Sequence, residues 1–289
     1  MCKKGIMTVV FTLIFLASGF KTYAQKSVLG NEHVSESREK LKVTDMSESM
    51  LLENMNWMEV EEYLKKDDRI VLVTGSTEQH GYLSLATDTQ TAWEMAKAAC
   101  EIEGVILAPA LPYGVCPGLM GYPGTVSLDP RTYLDLLDQI LRSFVRHGFK
   151  RIVIVNGHGG NTFASTYMGA IREDHPEVMI KYCDSNGPKV AKLLEREGET
   201  PSSHHADWTE AFPWITHVRP FPNGKKPPLN TPGSYTGRHL SRTPEENRER
   251  RVGVGVTGLF YSKDEKIMRE YFQAGVEDVL DALREGWEL

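Results

Sequence analysis

Paired cysteines are missing from this chain. The four it has, Cys2, Cys100, Cys116 and Cys183, stand far apart, so neither a CxxC zinc clip nor a disulfide framework is written into its 289 residues. Basic charge is in deficit as well. Lysine and arginine number 33 against 39 aspartates and glutamates, giving a net charge of −6 and a pI near 5.9. Nucleic-acid phosphates call for a basic face, so this balance speaks against that partner. The short stretch Arg248-Glu249-Arg250-Arg251 is diluted by acidic neighbours and reads as solvated surface. Long apolar runs are absent apart from Ile6 to Phe20, which is too short to span a bilayer comfortably.

That run has its own reading. Lys3 and Lys4 precede it, and Lys21-Thr22-Tyr23-Ala24-Gln25 closes it with a small residue at a cleavage point. The expectation is a secretory signal over residues 1–24, cut after Ala24, and a secreted or periplasmic mature protein that has no membrane contact once the signal is gone. An uncleaved anchor or a buried N-terminal helix is the alternative. Cys2 lies before the apolar run, which argues against a lipoprotein signal. Residues 25–49 are polar, charged and without aromatics, the composition of a flexible lead-in.

From residue 50 to 289 the pattern is that of one globular domain. Helical spacing is found over Asn56–Lys66 and Thr89–Cys100. It is strongest over Pro130–His147, where Tyr133, Leu136, Leu137, Ile140, Leu141 and Phe144 recur at three or four residues. Asn161–Arg172 and Lys263–Glu285 are predicted helices too. Short β-branched runs at Arg69–Thr74, Val105–Ala108, Arg151–Val155 and Val178–Tyr182 are predicted strands. Their alternation predicts a three-layer, sandwich-like α/β domain: a mostly parallel sheet with helices on both faces. The Pro-, Gly- and Asn-rich stretch 220–251 is too long for a plain connector and reads as a lid or a subunit-contact loop.

Three hydrophilic clusters carry the chemistry. Glu78-Gln79-His80 with Asp88, and the glycine-rich turn Asn156 to Asn161 around His158, each follow a predicted strand, where α/β proteins gather functional groups. The third runs from His204 and His205 to Glu210. Alone, each has a plain counterpart: a surface glutamate and a satisfied histidine, an Asp88 helix cap, a surface histidine pair. A phosphate loop around His158 would lack its lysine. Glycines at 157, 159 and 160 are expected to permit positive φ angles and close backbone approach. Together the clusters offer Glu78, His80, Asp88, His158 and Glu210, two imidazoles and three carboxylates, a set suited to two neighbouring divalent ions such as Zn²⁺ or Mn²⁺ with one carboxylate bridging. His205, left over, is placed to donate a proton to a departing nitrogen.

With these residues in place the chain resembles the creatininase (creatinine amidohydrolase) family. The carrying segments are GSTEQHGYLSLATDT at Gly75–Thr89, LPYGVCPGLMGYPGTVSL at Leu111–Leu128, VNGHGGN at Val155–Asn161 and HADWTE at His205–Glu210. The resemblance implies two divalent metals, Zn²⁺ and/or Mn²⁺, hydrolysis of a C–N bond in a small cyclic or linear amide, and a homo-oligomer, commonly a hexamer. Carried over by motif, Glu78, Asp88 and His158 hold one ion, and His80, Asp88 and Glu210 the other. His205 and Glu210 stand as catalytic residues. Gly159, Gly160 and Trp208 are expected at the substrate, with core packing the alternative for Trp208 or Trp214. Departures from the family pattern also exist. Family members usually read EQHGPHLPLxTD, one residue longer and with a second histidine; Cys116 and Leu119 replace a usual serine and histidine. Gly159 and Gly160 stand where creatininases proper carry tyrosine and glutamate, and Asp207 replaces a usual glycine. These changes enlarge the pocket and point away from creatinine itself toward a related cyclic amide. A linear amide, such as a formamide or peptide amide, is the alternative, and a non-catalytic binding protein a third reading.

Overall fold

The computed structural model describes residues 50–81, 83–184, 187–199, 204–212, 243–250 and 263–288. The predicted signal and lead-in, Trp214, and most of the 220–251 stretch lie outside these.

Four strands form the sheet: β1 Arg69–Thr74, β2 Ile106–Leu111, β3 Arg151–Asn156 and β4 Met179–Asp184. All pair in parallel, in the order β2-β1-β3-β4. Helix α1 Trp57–Leu64 precedes β1. Parallel neighbours need crossovers, and α2 Thr87–Glu103, α3 Pro130–His147 and α4 Met168–Asp174 supply them, while α5 Pro188–Arg196, α6 Pro244–Arg250 and α7 Glu265–Arg284 follow β4.

Strand side chains alternate between two faces, and each face has its own core. Val71, Val73, Leu107, Val153 and Val155 meet Ala92, Met95 and Ala99 of α2, Val190 and Leu194 of α5, and Val276 and Leu283 of α7. On the other face Ile70, Leu72, Ile106, Ile152 and Ile154 meet Tyr133, Leu137 and Leu141 of α3 and Ile171 of α4. Each fully buried branched side chain contributes roughly 1.5–3 kcal/mol. Helices thus cover both faces of one parallel sheet, as the alternating pattern predicts.

Several boundaries differ for identifiable reasons. Asn56 caps α1 from outside, its Oδ1 accepting from the Met58 and Glu59 amides at 3.0 and 3.2 Å while Glu59 accepts from the Asn56 amide at 2.8 Å. β2 runs on through Pro109 because it is an edge strand, where a missing N–H is tolerated. The stretch expected to be helical from Asn161 begins instead as a 3₁₀ segment over Gly159–Tyr167. There the Ser165 and Thr166 hydroxyls donate to the carbonyls three residues back, of Thr162 and Phe163, both at 2.8 Å, which suits the tighter turn. Helix α5, not among the predicted elements, is a short amphipathic segment opened by Pro188.

The strand order positions the site. From β1 the chain steps outward to β2 and then returns across β1 to β3. At such a reversal the loops beyond the carboxyl ends of the two middle strands diverge and leave a crevice. The β1 loop carries Glu78 and His80, the β3 loop carries His158, and Asp88 stands in the first turn of α2.

Candidate metal centre

Polar pins draw the loops together. The Thr74 hydroxyl donates to Asn156 Oδ1 at 3.1 Å, joining the ends of β1 and β3. Asn161 Nδ2 donates to Gly75 O at 3.0 Å, and its Oδ1 accepts from the Val115 amide at 3.1 Å. Asn156 Nδ2 donates to His158 O at 2.8 Å and to Asp184 Oδ1 at 2.9 Å. The asparagines that flank His158 are therefore the clasp of the site.

Asp88 is no helix cap. α2 begins at Thr87 with Ala86 before it, and Asp88 sits buried in the first turn with its side chain turned inward. Its Oδ1 lies 2.9 Å from His80 Nε2 and its Oδ2 2.9 Å from His158 Nδ1. The Ser76 hydroxyl donates to Oδ2 at 2.7 Å and fixes the carboxylate. One oxygen toward each imidazole is the arrangement a bridging carboxylate requires. Glu78 Oε1 is 3.5 Å from His158 Nδ1 and 3.9 Å from His80 Nε2. Glu210 Oε2 is 3.5 Å from His80 Nε2 and accepts from the Ala206 amide at 2.6 Å. Ala206 has φ 56°, a left-handed turn rare outside glycine, which folds the 205–210 segment back onto the cluster.

Backbone partners fix the two imidazoles. His80 Nδ1 donates to Glu78 O at 3.0 Å, and His158 Nε2 to Val115 O at 3.2 Å. The remaining nitrogens, His80 Nε2 and His158 Nδ1, are thereby aimed at the carboxylates, the usual device for presenting a lone pair to a metal. Glu78 Oε2 is buried with no hydrogen-bond partner among the described residues. Buried polar atoms of this kind are costly unless something satisfies them. His80, Asp88 and Glu210 offer donor atoms within 4.8 Å of one another; so do Glu78, His80 and His205, and Glu78, Cys116 and His158. Carboxylate and imidazole donors in overlapping groups fit divalent ions.

The electrostatics agree. Burial opposes charge on His80, yet Asp88, Glu210 and Glu78 outweigh it and hold the imidazolium up to about 10. His158 is likewise raised against its burial, by Asp88 and Glu78, to about 9. Burial and the Asp88 charge push the Glu78 carboxyl up. Glu210 is pushed up to about 7, by burial and by Asp88 and Asp207 against the pull of His80. Protons thus occupy the cluster when cations do not. Ion uptake at pH 7.5 is expected to expel about two protons per chain, one from each histidine. Titration calorimetry in buffers of different ionisation enthalpy reads that number, and uptake without proton release would contradict it. The sign for stability follows. A histidine pKa raised from 6.5 to 9 or 10 stabilises the ion-free fold fully below pH 6.5, and that contribution is lost as pH rises through 9 to 10. Ion binding should strengthen over the same window.

Beside the cluster lies a cavity of about 390 Å³ whose walls include Asp88, His158, Gly159, Thr162, His204 and Glu210. His205 sits against the cluster from another side, Nδ1 3.6 Å from Glu78 Oε1 and Nε2 2.9 Å from Gln79 Nε2. Its ring centroid is 4.5 Å from that of His80.

Three expectations need correction. Trp208 does not line the cavity; it is 3% exposed and packs edge-on against Tyr271 at 5.4 Å, in its alternative core role. Gly160 is not a wall residue either, but packs behind His158. A Cβ there would come under 3.0 Å from Val115 O and His158 Nε2. Gly157, Gly159 and Gly160 do not take positive φ. Close approach alone explains Gly157 and Gly160, and Gly159 opens onto the cavity.

In the sequence His204 stands only as a member of the third cluster, without a role of its own. Its Nδ1 lies 2.6 Å from Asp207 Oδ2, while Asp207 Oδ1 accepts from the Thr209 amide and hydroxyl at 2.9 and 2.7 Å. His204 Nε2 is buried without a partner among the described residues, on the cavity wall. The signal was Asp207 itself, standing in place of a usual glycine three residues after a histidine.

Comparison with known proteins bears on the family and the fold. A family model, Creatininase, described as creatinine amidohydrolase, matches residues 53–283. Creatinine amidohydrolase of Pseudomonas putida is 32% identical over 170 residues, covering 53% of this chain and 65% of that enzyme. A mycofactocin precursor peptide peptidase of Mycolicibacterium smegmatis is 40% identical over 102 residues, 33% of this chain and 41% of that protein. The chain therefore spans less than two thirds of the length of either curated relative. The solved manganese form of creatininase superposes with a TM-score of 0.64 at 22% identity, over 82% of this chain and 98% of that one. A zinc–zinc form of a creatininase mutant gives 0.64 and 22% over 82% and 97%. At that identity the likeness is one of fold. The family match spans most of the sequence and takes in all four motif segments; the chain belongs to the creatininase family.

Proposed function

We propose that the protein is an exported, dinuclear-metal-dependent amidohydrolase of the creatininase type, acting on a small cyclic amide, creatinine or a related compound. One observation carries the reading: carboxylates and imidazoles from three distant segments converge in a buried cluster with Asp88 between two histidines. Glu78, Asp88 and His158 would hold one ion, and His80, Asp88 and Glu210 the other, as Zn²⁺ and/or Mn²⁺. When bound, the ions would supply a Lewis acid for the scissile carbonyl and acidify a water. The chain's own residues do the rest. Ser76 keeps the bridging carboxylate in place, and the Ala206 amide holds Glu210 at the cavity edge. His205, steadied by Gln79 beside Glu78, donates a proton to the leaving nitrogen.

Linear amides are the second reading. The 40% identity to a peptide peptidase over 102 residues supports it, and so do glycines at 159 and 160 in place of tyrosine and glutamate. A panel of creatinine, other cyclic amides, formamide and peptide amides, with bound metal quantified in the same sample, separates the two. Turnover of a cyclic amide that a chelator abolishes is the expected result. Two ions bound with no hydrolysis of any amide would favour a binding protein and overturn the enzyme reading.

Export belongs to the same proposal. It rests on Lys3, Lys4, the Ile6–Phe20 run and Ala24. A reporter fused after Ala24 is expected outside the cytoplasm; one retained inside would contradict it. No helix among the described residues is long and apolar enough to cross a membrane. Assembly as a homo-oligomer, of hexamer size, is the associated expectation, read by light scattering.

A further inference from the structure

Cys116 reaches the centre from a loop that supplies none of the five ligands named above. It is 6% exposed. Its amide donates to Ser127 Oγ at 2.9 Å, and the preceding Val115 carbonyl is the acceptor that orients His158. The loop that aims His158 therefore also holds the thiol. Its Sγ lies within 4.8 Å of both a Glu78 carboxylate oxygen and a His158 ring nitrogen, as these do of each other. A second observation points to a ligand there: Glu78, 2% exposed, has a buried Oε2 with no hydrogen-bond partner among the described residues. Cys100 and Cys183 join no donor group among the described residues.

We propose that Cys116 is a further ligand of the ion held by Glu78 and His158, and that its sulfur makes this position selective for Zn²⁺ over Mn²⁺. The inference rests on the two-ion reading above and deepens it. A serine hydroxyl, usual at this place, is a hard and weak donor, whereas thiolate is soft and favours zinc; Mn²⁺ favours oxygen. Bonds of about 2.0–2.3 Å around a tetrahedral ion separate its ligand atoms by about 3.3–3.6 Å. The Glu78–His158 separation of 3.5 Å already fits; coordination would exchange the thiol's present contact with Val126 O, at 3.5 Å, for the ion, and with four protein donors there the water would fall to the other ion. Coordination exchanges the S–H bond for a sulfur–metal bond and releases the proton to solvent.

Cobalt(II) reads this directly, because it follows zinc into such sites and shows thiolate-to-metal charge transfer in the near ultraviolet. The purified full chain, stripped by chelation and reloaded with Co²⁺, should show that band. Cys116→Ser should lose it while still binding ions, and Cys183→Ser should keep it. The Zn²⁺ preference over Mn²⁺ should fall in Cys116→Ser by at least the about tenfold effect usual for partners one layer further from a metal. Two Co²⁺ bound by the unaltered chain without the band would overturn the proposal and leave the two-ion reading standing. That spectrum needs no variant, so misfolding of Cys116→Ser cannot obscure it. A chain that takes up no ion at all would overturn the two-ion reading, and this inference with it.

Discussion

Replacing Asp88 by alanine is expected to empty both metal positions at once. Other ligands face one imidazole closely; Asp88 presents one oxygen to His80 and the other to His158, each at 2.9 Å. Its loss leaves each position two carboxylate or imidazole donors from the set of five. An ion supplies several kcal/mol of stabilisation to a hydrolytic transition state. At 1.36 kcal/mol per tenfold, that amounts to a fall in kcat/KM of roughly 10³ or more on the best amide of the panel. Metal analysis should fall with it, while the far-ultraviolet circular dichroism should not, because Asp88 caps no helix. Ser76→Ala is the graded companion. It removes only the hydroxyl that fixes Oδ2, so both ions should stay, bound about 10–100-fold more weakly. An Asp88→Ala protein with full metal content would refute the bridging role.

A single methyl group at Gly157 is expected to damage fold and site together. A Cβ there would come under 3.0 Å from both the Asp88 carbonyl and the Ala92 methyl. The first obstacle is backbone in the opening turn of α2 and cannot rotate away. Overpacking costs about 1–3 kcal/mol, and an unyielding neighbour puts Gly157→Ala near the upper end. For a chain of this size about 3 kcal/mol lowers Tm by about 6–12 °C. Since the residue pushed aside is Asp88, ion affinity should drop too. Gly159→Ala is the control, with nothing within 4 Å of its Cβ, and should leave stability within about 0.5 kcal/mol. Equal Tm values for the two variants would contradict this account of Gly157.

The parallel sheet was legible in the sequence because its signal is periodic. Ile152 to Val155 must be buried on both faces, and the Tyr133–Phe144 stripe turns the same face every three or four residues. Ligand types were legible too: few stretches put Glu78, His80, Asp88, His158 and Glu210 beside apolar runs. What escaped was whatever depends on contacts between segments. Trp208 is aromatic and next to the site in sequence, yet the turn at Ala206 sends His205 and Glu210 to the cluster and the indole to Tyr271. The glycines after β3 looked like φ-driven choices; their cause at 157 and 160 is the proximity of Asp88 and Val115, more than forty residues away. His204 gave no periodic signal, and its place on the cavity wall, held by Asp207, depends on contacts only the fold brings about.

On the proposed reading the motif segments form one centre for two divalent ions. The most direct measurement is the metal content of the purified chain, stripped, reloaded with Zn²⁺ or Mn²⁺ and exhaustively dialysed, beside the Asp88→Ala variant treated identically. Two ions per chain, and close to none in the variant, are expected. One ion or none in the unaltered protein, or equal contents in the two, would contradict that reading.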